Sequence, residues 1–127
     1  MNSKEIQEAL ASDNLSQEEI KKAYDETRET IINLQKTGLI AARGTVIEKY
    51  SVTRPTGTYE YYRLCDSKGK FLIHLGNADS EWHVLFRRAI DRRNLITELR
   101  QLKKLLKEKL IPLDWLQLKE PQILSPD

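Results

Sequence analysis

The hydrophobic pattern of this chain changes period twice, and that change constrains its fold more than any other feature. Up to about residue 38, apolar residues return every three or four positions. From about Thr45 to Leu75 the chain breaks into short runs rich in Val, Ile, Tyr and Thr. After Ser80 the three-and-four spacing returns. A helical front, a central group of strands and a long closing helix predict an α+β fold. The 127 residues suit one domain over 1–120, with a basic sheet-plus-helix module at about 44–110 and a flexible tail at 121–127.

The helices carry local start signals. Ser3 to Ala11 reads as a short helix with Ile6, Ala9 and Leu10 on one side, interrupted at Asp13-Asn14. Ser16 followed three residues later by Glu19 is a capping box. Leu15 and Ile20 are placed to form the hydrophobic staple of a helix over about 17–36. Its stripe is Ile20, Tyr24, Thr27, Ile31 and Leu34, and Gly38 suits a left-handed position past its end.

The strands follow from composition and turns. Residues 45–53, 58–65 and 70–75 read as three strands. Pro55-Thr56-Gly57 supplies one turn and Asp66-Ser67-Lys68-Gly69 another, with Gly69 at the positive-φ position of a bulged hairpin. Two short turns give an antiparallel meander. Alternation puts Phe71, Ile73 and Leu75 on one face of the last strand, to pack on a helix. Lys70, Leu72 and His74 fall on the other, which is left for solvent or a ligand.

Asp79 or Ser80 can cap a final helix over about 81–110. Its first part, with Trp82, Leu85, Phe86, Ala89 and Ile90, is a broad apolar face for the sheet. Leu95, Leu99, Leu102, Leu106 and Leu110 then form a narrower seam, suited to the helix of residues 17–36 or to a second copy of the chain. Pro112 ends the helix. Trp115, Leu116 and Leu118 suggest that the tail docks on the body or on a partner.

Charge is unevenly distributed. Residues 43–109 carry 15 Lys and Arg against 8 Asp and Glu, a net of +7, between ends of −3 and −2. A basic middle draws polyanions, and nucleic acid is the commonest. Lys49, Arg54, Arg63, Lys68 and Lys70 lie on the strands or their turns, interleaved with Tyr50, Tyr59, Tyr61 and Tyr62. A strand ribbon can enter a major groove, where Arg grips guanine and Lys suits phosphate; tyrosine can also stack on an unpaired base. Arg87, Arg88, Arg92 and Arg93 on the long helix suit phosphate contacts, extended by Lys103, Lys104, Lys107 and Lys109.

Other chemistries find little footing. Cys65, His74 and His83 match no metal-ligand spacing, and no cofactor is expected. Nucleophile elbows, phosphate loops and H-E-x-x-H are absent from the sequence, so it is read as a non-enzyme. The single cysteine excludes an internal disulfide and fits a reducing cytosol. No apolar run reaches the roughly 18–20 residues of a membrane span, so a cytoplasmic protein without membrane partners is expected.

Residues 57–64 (Gly-Thr-Tyr-Glu-Tyr-Tyr-Arg-Leu), then Gly69-Lys70, His74-Leu75-Gly76 and a long helix resemble small uncharacterised bacterial proteins found near mobile elements. The order of three strands and a helix, over about 44–95, is also similar to the arm-binding domain of tyrosine integrases and to plant AP2-type domains. That resemblance implies DNA binding through the sheet face.

The leading expectation is therefore a nucleic-acid-binding protein, for DNA more than RNA. Its contacts would be Lys49, Arg54, Tyr61, Arg63, Lys70 and the four helix arginines. The alternative is an interaction or homodimerisation module built on Leu95, Leu99, Leu102, Leu106 and Trp115. Single-strand binding by tyrosine stacking is a third.

Overall fold

The computed structural model describes residues 2–11 and 15–111. The order is α1 (Ser3–Ala11), α2 (Gln17–Thr37), β1 (Val46–Arg54), β2 (Gly57–Cys65), β3 (Phe71–Gly76) and α3 (Glu81–Lys109), an α+β fold. No helix among the described residues is long and apolar enough to cross a membrane. Pro112 and the tail with Trp115 lie outside the described residues, as do Asp13 and Asn14.

The chain, read from sequence as one domain, gathers into two compact units. One takes the residues up to Ile31 together with those from Leu99 on; the other is Ile32–Glu98.

The first unit is helical. Asn2 caps α1, its Oδ1 accepting from the Glu5 amide at 2.8 Å. The capping box of α2 is formed in both directions. The Glu19 amide donates to Ser16 Oγ, and the Ser16 amide donates to Glu19 Oε1, each at 3.1 Å. Ile6, Leu10 and Ile20 bury against Leu102 and Leu106, with Leu15, Ala23 and Tyr24 packed alongside. Gln17 ties the two helix ends. Its amide donates to the Lys109 carbonyl at 3.0 Å, and its Oε1 accepts from the Ile111 amide at 2.8 Å. That satisfies groups which a helix terminus otherwise leaves unpaired.

The second unit is a three-stranded antiparallel sheet in the order β1-β2-β3, with part of α3 against one face. Arg54 pairs with Gly57 across the two residues Pro55 and Thr56, and that tight link sets a register running to Val46 opposite Cys65. At the second turn Asp66 Oδ1 accepts from the amides of Lys68 and Lys70, and Gly69 has φ +81°, as the bulged hairpin requires. Leu64, Leu75 and Ile90 form the core, flanked by Ala41, Ile47, Tyr62 and Phe86. Ser80 caps α3, its Oγ accepting from the His83 amide at 3.1 Å.

Four expectations are corrected. Gly38 is not among the glycines with positive φ; a Cβ there would lie 2.9 Å from the guanidinium carbon of Arg92, the movable end of a flexible side chain. Trp82 and Leu85 are exposed rather than packed on the sheet, while Ala89 and Ile90 are buried. Of Phe71, Ile73 and Leu75 only Leu75 is buried, because two register shifts between β2 and β3 break the simple alternation. On α3, Ile96 is buried and Leu95 is not.

Candidate nucleic-acid interface

Strand register sorts the polar side chains by face. Residues directly opposite in an antiparallel pair share a side, so Glu48 with Arg63, Tyr50 with Tyr61, Val52 with Tyr59, and Arg54 all lie on one face. His74, opposite Arg63 on β3, joins them. Ile47, Leu64 and Tyr62 lie on the other face, against α3. On the first face Arg54, Tyr59 and His74 are exposed, while Cys65, opposite Val46 at the far end of the same face, is buried.

Tyr50, Tyr61 and His74 form a cluster on this open face. Their ring centroids are 5.7–5.9 Å apart, and the planes are tilted by 38–59°. Tyr50 Oη and His74 Nδ1 are 2.6 Å apart. The Arg63 guanidinium lies 5.4 Å from the Tyr50 ring centroid. It also donates from Nε and Nη2 to Glu48 Oε1, at 3.0 and 2.8 Å. The carboxylate hydrogen bond pushes the Arg63 pKa further up. Arg54 is placed differently. Its guanidinium sits 5.8 Å from the Tyr59 ring and 5.9 Å from Tyr61, and no carboxylate among the described residues lies within ion-pair distance. Tyr59 is steadied by donating to Thr56 Oγ1 at 2.7 Å. Each such contact at an exposed site is worth about 0.5–1 kcal/mol, enough to bias the Arg54 side chain over the rings.

β3 reaches only as far as Tyr62 on β2, so the hairpin between Tyr50 and Tyr61 continues beyond it as a two-stranded ribbon. Within that stretch every residue from Thr53 to Glu60 is exposed.

The other expected cations are dispersed. Lys49 is opposite Tyr62 and therefore on the face away from Arg54; its Nζ lies 2.9 Å from Glu60 Oε2, which raises the Lys49 pKa. A one-residue step along a strand reverses the face, so Lys49 cannot act with Arg54 and Arg63 as one surface. Lys70 is exposed in the turn before β3, its backbone held by Asp66. Arg93 lends its Nη1 to the Ala42 carbonyl, the Thr45 carbonyl and Thr45 Oγ1 at 2.8–3.1 Å. Arg92 donates to the Leu39 carbonyl. These two arginines fasten the segment before β1 to α3, a structural role the sequence reading did not include. Arg87 is exposed and lies 3.4 Å from His83 Nε2, and Arg88 is exposed.

The remaining candidates separate as well. Cys65 shares the face of Arg63 but is buried there, and burial pushes its thiol pKa up. The His83 ring lies against Tyr62, centroids 4.2 Å apart and planes tilted by 32°, with Nδ1 2.9 Å from the Ala78 carbonyl, on the face opposite His74. No group of three metal-ligating side chains occurs among the described residues. In the leucine seam, Leu102 and Leu106 are 1% and 0% exposed within the first unit's own core, while Leu95 is 42% exposed. Of the two placements open for the seam, those two leucines take the one inside the chain.

Of the four tyrosines interleaved with the strand cations, Tyr50, Tyr59 and Tyr61 share the open face and Tyr62 lies on the other; His74 is on the open face, as its alternation with Leu75 predicts. The two-residue loop after Arg54 was the usable signal, since it alone sets Tyr50 opposite Tyr61.

In comparisons with protein-family models, curated proteins and solved structures, no family model, protein or structure matches the chain.

Proposed function

We propose that the second unit binds nucleic acid, double-stranded DNA in the first instance, through the open face of its sheet. The observation that carries this reading is the one-sided packing of that sheet. α3 covers one face, and the other presents Arg54, Tyr59, Tyr61, Tyr50 and His74 in an ordered array. The unit holds 11 Lys and Arg against 7 Asp and Glu, a net of +4. A two-stranded ribbon is narrow enough for a major groove, and Arg54 at its end is a suitable donor to guanine. Arg88 and Lys70 are exposed cations suited to phosphate.

The test is fluorescence anisotropy with a 20-bp duplex and the matching single strand, across a salt series. Duplex affinity is expected to fall steeply with salt as counterions are released. Arg54→Ala should weaken duplex binding by about tenfold. A larger loss for single strand than for duplex in Tyr61→Ala would move the reading to base stacking. No binding of either probe at low salt overturns it.

A further inference from the structure

Arg54 differs from the other arginines near the sheet in what holds it. Arg63 donates to Glu48, and Arg92 and Arg93 donate to backbone carbonyls. Arg54 has no such acceptor among the described residues; its guanidinium carbon lies 5.8 Å from the centre of the Tyr59 ring and 5.9 Å from that of Tyr61. A contact with a ring face holds a cation without any hydrogen-bond acceptor, so the N–H donors of Arg54 stay free for a ligand. The rings are themselves fixed. Tyr59 donates from its hydroxyl to Thr56 Oγ1 at 2.7 Å, in the link between the strands. Tyr61 is flanked by Tyr50 and His74, with ring centroids 5.9 and 5.7 Å away. The space beside Arg54 is open: its cross-strand partner is Gly57, and a Cβ placed there would meet nothing within 4 Å.

The geometry points to Arg54 as the base reader of the open face: it takes the N7 and O6 edge of a guanine in duplex DNA, with Tyr59 and Tyr61 as the residues that position it. This rests on the nucleic-acid role proposed above and goes further by naming the base and the residues that select it. A planar fork matches two adjacent acceptors, which the major-groove edge of guanine presents. A phosphate needs charge at the right place but little direction, and a solvated lysine supplies that. Placement by two rings and a hydrogen bond matters where direction matters, at a base edge. It also reduces the ordering cost that a long free side chain meets on binding. Arg54 closes the two-stranded ribbon beyond the reach of β3, within a stretch exposed from Thr53 to Glu60, so no other element of the sheet stands between it and a groove floor.

Fluorescence anisotropy of the full chain with two 20-bp duplexes of one sequence tests this, one carrying guanine and the other 7-deazaguanine in its place. The replacement removes the N7 acceptor and leaves the phosphates and the base pairing intact. The wild type is expected to bind the guanine duplex about fivefold or more tightly than its analogue. In Arg54→Lys, which keeps the charge and loses the fork, that ratio should fall to about one. Tyr59→Leu should lower it by about twofold or more, since one ring still holds the cation. The drop should come from weaker binding of the guanine duplex alone, whereas a merely structural loss would weaken both duplexes alike. A wild type that binds both duplexes equally, or an Arg54→Lys variant that keeps the preference, overturns the inference while duplex binding stands. A Tyr59→Leu variant that loses both duplexes in proportion overturns the positioning role of the ring. No binding of either duplex at low salt overturns the nucleic-acid role itself, and this inference with it. Should Tyr59→Leu lose its folded circular dichroism spectrum, Arg54→Lys decides alone.

Discussion

The two units of the chain solve the burial problem in opposite ways. In the first, each amphipathic helix finds another stripe to face: Ile6 and Leu10 of α1, Ile20 of α2, and Leu102 and Leu106 of α3 share one core. In the second, only one side of the sheet is covered, and the core is correspondingly small, built on Leu64, Leu75 and Ile90. The difference teaches where function can reside. A helical cluster whose apolar stripes meet has spent its chemistry on stability. A two-layer sheet-and-helix unit leaves most of one sheet face free for something else.

The sharpest way to break that contrast is to cut into each part. Leu106→Ala removes a side chain with 0% exposure and should cost about 2–5 kcal/mol, read as a fall in the urea midpoint. A loss below about 1 kcal/mol would mean the helical core is not where stability lies. Next in size, Arg93→Ala removes the donor shared by two carbonyls and Thr45 Oγ1. A cost of about 2 kcal/mol in urea unfolding is expected, because Thr45 is buried. If stability were unchanged, Arg93 would return to the set of cations open to a ligand.

Ser16→Ala removes the cap of α2 and should cost about 1 kcal/mol by the same measurement. The Glu19 half of that box adds a pH signature. Its hydrogen bonds with the Ser16 backbone and side chain hold its pKa below the ordinary 4.5. A carboxylate lowered on folding stabilises fully above its unfolded pKa, and the stabilisation is lost as pH falls through the folded value. The difference in urea midpoint between wild type and Glu19→Gln should therefore be present at pH 7 and fade at acid pH. A difference that grew on acidification would contradict the cap. Smallest of all, Arg54→Ala should change stability by less than about 0.5 kcal/mol, since its contacts are exposed ring faces. A large loss there would show the open face to be part of the fold's support.

Much of the architecture was legible from local pattern. The limits of α1 and α2, the Ser16–Glu19 box, the hairpin at Gly69 and the three-strand meander each depend on residues within a few positions of one another. The candidate site was less legible. Tyr61, Arg54 and Arg63 share the open face as expected, yet Lys49 falls on the reverse of the sheet and meets Glu60. Arg92 and Arg93 turn inward to the carbonyls of residues 39–45, some fifty positions away in the chain. A cation's partner depends on which segment the fold carries past it, and period or composition does not encode that.

The same division runs through the whole molecule. The amino-acid order alone determined the kinds of elements, their sequence along the chain and the caps and turns that bound them. Those features arise from the backbone's short-range preferences and from hydrophobic spacing. Only the tertiary structure decided that Ile96 and not Leu95 turns inward, that Phe71, Leu72 and Ile73 stay exposed beside two register shifts, and that Arg54 alone among the sheet's named arginines keeps its charge unpaired. Each of those outcomes is set by register and long-range packing, where a shift of one residue exchanges an inside for an outside.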